Sequence, residues 1–151
     1  MRNMLLPLFF FLAFAADESA KLLPDAPGKE VVAKVCTECH DTSNIRKLRI
    51  PRNEWSDKMD DMVDRGAKGT DQEMMAILDY LTQNFGPDSR IFVNTAPFSE
   101  LKSVLQLTND ETTAVVEYRQ KNGNFQQWRD LLKVAGVDGK KIEAKKDLLA
   151  F

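Results

Sequence analysis

Cys36-Thr37-Glu38-Cys39-His40 places both cysteines and the only histidine of a 151-residue chain within five consecutive positions. Two thiols about one helical turn apart can each add across a haem vinyl group, giving two thioethers, and the adjacent imidazole then lies under the iron as proximal ligand. Other chemistries fit this spacing less well. A thioredoxin-like redox pair needs alternating strands and helices, a pattern absent here. A structural zinc site needs a fourth Cys or His. A Cys36–Cys39 disulfide closes too short a loop to stabilise much. One covalently attached haem c on Cys36, Cys39 and His40 is therefore expected.

With His40 used below the iron, no second histidine remains to ligate it from above. Methionine is the natural alternative. Met74 and Met75 fall in a helical stripe and read as packing, which leaves Met59 and Met62, both on the helix face that Trp55 marks. If both merely pack, the iron keeps an open or lysine-filled distal side, suited to ligand binding or peroxidase-like chemistry. Arg46, Lys47, Arg49 and Arg52 form the densest basic run nearby. They read either as haem-propionate and docking contacts or as a solvated loop. No residue set for substrate turnover is visible, and the sole histidine is committed to iron, so an electron carrier rather than an enzyme is expected.

These residues need a compartment and elements to hold them. Met1-Arg2 followed by the apolar run Leu5–Ala16 with its small-x-small site Ala13-Phe14-Ala15 reads as a secretory signal over residues 1–15. The run, about a dozen residues, is shorter than the ~20 that cross a bilayer. A periplasmic or extracellular protein without a transmembrane segment after cleavage is expected. Loss of Arg2 leaves 20 basic against 23 acidic residues. The excess is acidic in 16–86 (10 against 14) and slightly basic in 87–151 (10 against 9), too little to imply nucleic-acid binding by charge alone.

The expected fold class is all-α, in two modules split near Gly86-Pro87. Residues 16–27 read as a flexible leader, 28–86 as the haem-bearing domain and 91–151 as a second domain. A first helix runs through Val31, Val32 and Val35 into Cys36. A second spans Asn53 to Arg65, and a third, Thr70 to Phe85, opens on the capping box Thr70-Asp71-Gln72-Glu73. Four short helices follow, the second capped by Thr108-Asn109-Asp110-Glu111 and ended by Gly123.

Gly28 eight positions before Cys36, the C-x-x-C-H run and the terminal helix carrying Tyr80-Leu81 resemble the small monohaem cytochromes c of class I. The resemblance implies that Gly28 lets the first helix cross the last closely at Tyr80 or Leu81. It also implies Met62 as distal ligand, with Met59 the alternative, since Met62 precedes Val63-Asp64-Arg65-Gly66.

The run Val93-Asn94-Thr95-Ala96, then Leu101, Val115–Phe125, Leu131–Val137 and Lys140-Lys141-Ile142, resembles the helix-hairpin-helix domains of exported competence DNA receptors. In DNA-binding members the hairpins read Gly-apolar-Gly, and their amides receive a phosphate. Here the hairpins read Gln106-Leu107-Thr108 and Gly136-Val137-Asp138. These departures imply a retained fold with a lost DNA site, leaving a docking module with Trp128, Phe125 and Phe98 as candidate contacts. The sequence thus points to an exported haem electron carrier held beside redox proteins in an envelope complex, with nucleic acid unexpected as partner. The rivals are a haem protein that binds DNA through this second domain, and a haem sensor or peroxidase with an open distal site.

Overall fold

The computed structural model describes residues 18–151, so the expected signal segment and cleavage site lie outside the described residues. Among the described residues the regular elements are helices apart from one two-residue strand pair, as the all-α expectation requires. A helical turn at 18–21 leads to α1 (Lys29–Cys36), α2 (Ser43–Arg46), α3 (Arg52–Asp64) and α4 (Asp71–Phe85). Strand β1 (Ile91–Phe92) follows, then α5 (Phe98–Leu105), α6 (Asn109–Asn122), α7 (Trp128–Leu131), α8 (Gly139–Ala144) and β2 (Leu149–Ala150). Among the described residues, no helix is long and apolar enough to cross a membrane.

Local chemistry sets the helix ends. The Thr70 hydroxyl accepts from the Glu73 amide while Glu73 reaches back to the Thr70 amide, satisfying two donors that have no partner inside the helix. Thr108 and Glu111 repeat the device at the start of α6. Gly123, at φ 85°, ends that helix in a conformation few side chains tolerate.

Two hydrophobic clusters follow the order of the chain. The first gathers Val32, Val35, Ile45, Trp55, Ile77, Tyr80, Leu81 and Phe85 from α1–α4. The chain approaches closely at Gly28, where φ is 97° and an added Cβ would lie 2.9 Å from the Tyr80 Cβ and 3.0 Å from the Ala76 carbonyl oxygen. The expected close crossing at Gly28 is thus present, and Tyr80 packs at it. Around the C-terminal end of α4, the Trp55 indole N–H and the Ile50 amide both donate to the Phe85 carbonyl.

The second cluster gathers Ile91, Val93, Leu101, Leu105, Val115, Phe125, Leu131, Ile142 and Leu149. Strand β1 pairs in parallel with β2, Ile91 opposite Leu149, and so joins the two ends of this half. Phe125, a candidate contact residue, is buried and stacked on Tyr118 with ring centroids 5.3 Å apart. Trp128 packs partly against the same cluster, while Phe98 is 40% exposed.

The halves meet through charge. Glu100, on α5, lies 2.8 Å from Arg46 Nη2 and accepts from Arg49 Nη2 at 2.9 Å. All three side chains are under 10% exposed. The basic run read as a loop or a docking patch therefore divides. Arg46 and Arg49 turn inward to the second half, whereas Arg52 pairs with Asp79 at the surface.

Candidate functional site: the paired hairpins and the cysteine run

The α5–α6 connection lacks the glycines expected of a phosphate-binding hairpin, yet its backbone turns as a glycine would. Gln106 has φ 55° and ψ 38°, the left-handed region, and is the only non-glycine with positive φ among the described residues. The Gln106 and Leu107 amides both donate to the Lys102 carbonyl, which closes the helix end. The second hairpin turns at Gly136, φ 84°. Asp138 caps α8, its carboxylate accepting from the Lys140 amide.

One carboxylate joins the two hairpins. Glu111 Oε2 accepts from the Thr108 amide at 2.7 Å and from Lys141 Nζ at 2.7 Å, and Glu111 Oε1 accepts from the Asp138 amide at 2.9 Å. Thr108 and Asp138 hold the third position of each hairpin triad, so equivalent amides converge on one anion. The Lys141 bond, then the Thr108 and Asp138 amides, hold the Glu111 carboxyl down at about 2. The arrangement is an anion site filled from within. Lys102, whose carbonyl closes the first hairpin, and Lys140, two residues after Asp138, are exposed, as is Lys146 further along the chain. The sequence pattern showed the capping box at Glu111 but not its bond to Asp138, because that partner lies in the other hairpin.

The cysteine run sits at the far end of α1. Cys36 closes the helix and packs partly into the first cluster, where burial pushes its thiol up to about 11. Cys39 and His40 lie exposed in the turn beyond, and His40 Nδ1–H donates to the Asp41 carbonyl at 2.8 Å. Of the two methionines on α3, Met59 packs against the first cluster, whereas Met62 is 36% exposed. An iron held between His40 and Met62 would thus have both ligands at the solvent surface, and among the described residues no three His, Cys, Asp or Glu side chains are grouped to hold a metal.

Comparison with known proteins bears on the second half. Residues 87–150 match the helix-hairpin-helix motif model. The chain is 33% identical over 58 residues to ComE operon protein 1 of Bacillus subtilis, covering 38% of this chain and 28% of that protein. It is 35% identical over 63 residues to an uncharacterized protein of Haemophilus influenzae, covering 41% of this chain and 56% of that protein. The chain thus spans between about a quarter and just over half the length of these relatives. No solved structure matches it.

These findings correct the reading drawn from the cysteine run. The expected cytochrome, with haem c, iron and electron transfer to redox partners, gives way to kinship in the helix-hairpin-helix segment. The exclusion of nucleic acid as partner is corrected as well. It rested on missing hairpin glycines, on the Asp138 carboxylate at the second hairpin and on the small net charge of 87–151; Gln106 supplies the left-handed turn, and Asp138 is spent on capping. Residues 87–150 are thus similar to helix-hairpin-helix domains.

Proposed function

We propose that the helix-hairpin-helix domain docks this chain on nucleic acid through the phosphate backbone, without reading sequence. The observation that carries the reading is the pair of hairpins, turning through positive φ at Gln106 and Gly136, with exposed Lys102 and Lys140 next to them in the chain. The match of 87–150 to the helix-hairpin-helix model, and the resemblance to exported competence DNA receptors, support it.

Because Glu111 already occupies the Thr108 and Asp138 amides, the phosphate contacts fall to side chains. Lys102 and Lys140, next to the hairpins in the chain, and Lys146 are exposed, and between Arg129 and Asp147 six basic residues stand against four acidic ones. So small an excess gives weak, salt-sensitive binding, since each phosphate contact releases counterions. The signal-like residues 1–15 support placement outside the cytoplasm, where such a domain would meet exported or incoming strands.

Gel retardation of duplex DNA by the full chain at low salt tests the reading. Retarded complex that disappears as salt rises is expected, and charge reversal at Lys140 and Lys146 together should weaken it. Duplex that runs free at low salt and high protein concentration would overturn the proposal.

A further inference from the structure

Between the two halves lies a cavity of about 310 Å³, walled by Arg46, Arg49 and Glu100 and reached past Arg90 and Phe92. A second cavity of about 420 Å³ adjoins it, sharing Arg90 and Phe92 and adding Gln83. Together they are of a size that takes small molecules.

The two inward arginines have different tasks. Arg49 spends all five of its N–H groups: Nε on the Ser89 carbonyl, Nη1 on those of Arg46 and Leu48, and Nη2 on the Arg90 carbonyl and Glu100. Its plane also covers the Phe85 ring at 5.3 Å. Arg49 is a staple, with nothing left for a ligand. Arg46 is as deeply placed, its side chain 7% exposed, but its Nη1 has no hydrogen-bond partner. Its other nitrogen approaches Glu100 Oε2 at 2.8 Å without hydrogen-bond alignment, so that oxygen too lacks a directed bond.

Two buried guanidinium groups thus face one carboxylate, and a buried cation with an unspent donor is costly unless an anion meets it. Burial pulls Arg46 below its ordinary value in spite of Glu100. Arg90 lines both cavities, Lys21 the first and Asp25 the second, and Phe92, 55% exposed, lines both. A flat aromatic beside an anion pocket accepts a nucleobase face regardless of its identity, and Gln83 in the outer cavity can bond a base edge.

We propose that this cleft binds a mononucleotide, its phosphate on Arg46 and Arg90 and its base against Phe92. The site is separate from the hairpins and does not depend on their binding duplex, so either can fail without the other.

Titration calorimetry of the full chain with thymidine 5′-monophosphate, inorganic phosphate and thymidine tests it. The monophosphate should bind, thymidine should not bind at about 10 mM, and inorganic phosphate should bind at least about tenfold more weakly than the nucleotide. Arg46→Gln, which leaves Glu100 paired with Arg49, should weaken the nucleotide by about tenfold or more, as loss of a charge-assisted contact does. Phe92→Ala, at the surface, should weaken the nucleotide and leave phosphate unchanged, and it tests the same site should Arg46→Gln not fold. Absence of nucleotide binding, equal affinity for phosphate and nucleotide, or nucleotide affinity unchanged in both variants would overturn the assignment.

Discussion

Glu111 shows how one side chain can do two jobs, only one of them written locally. Its reach back to Thr108 follows from the spacing Thr108-Asn109-Asp110-Glu111. Its bond to the Asp138 amide arises only when the hairpins stand side by side. Because its folded carboxyl titrates at about 2, below the ordinary 4.5, its stabilisation is complete above about pH 4.5 and is lost as pH falls toward 2. Glu111→Gln should therefore flatten the acid limb of the stability profile in that window. It should also cost about 1–3 kcal/mol at neutral pH, as loss of hydrogen bonds to a charged group does. Denaturant melts between pH 2 and 7 measure both effects. The cysteine run illustrates the opposite case. Its five residues carried a full chemical reading by type and spacing, while the surroundings that decide its use, such as the outward turn of Met62, come from distant packing.

Among the elements, helices and their ends were the most legible feature of the sequence. Both capping boxes and the Gly123 stop lie where local spacing puts them. The β1–β2 pair was not legible, because two residues are too few to show alternation and their partners stand at opposite ends of the domain. The first hairpin misled for a physical reason: a left-handed turn favours glycine but does not require it, and the closing bonds to the Lys102 carbonyl hold Gln106 there. Gln106→Gly should therefore stabilise the domain slightly, by up to about 1 kcal/mol, by relieving that conformation. Gly28 is the counterpart in α1. Gly28→Ala meets both a positive φ and the Tyr80 Cβ at 2.9 Å, and should destabilise the first cluster by about 2–4 kcal/mol in denaturant melts.

Over the whole molecule, the joint between the halves depends on Glu100, which nothing nearby in sequence marks, since its partners Arg46 and Arg49 come from the other half. Glu100→Ala would leave two buried guanidinium groups facing each other. It should cost about 3–5 kcal/mol and split one thermal transition into two, as calorimetry would show. Joined in this way, the N-terminal half travels with whatever the helix-hairpin-helix domain holds. On the proposed reading, this domain holds nucleic acid by its phosphates. Fluorescence anisotropy of a labelled duplex, titrated with the full chain over a range of salt, tests that claim most directly. If about three lysines each meet a phosphate, log K should fall with log salt at a slope of about −3, and Lys102→Glu/Lys140→Glu/Lys146→Glu should bring that slope close to zero. Binding that ignores salt, or that survives the triple charge reversal unchanged, would contradict the account.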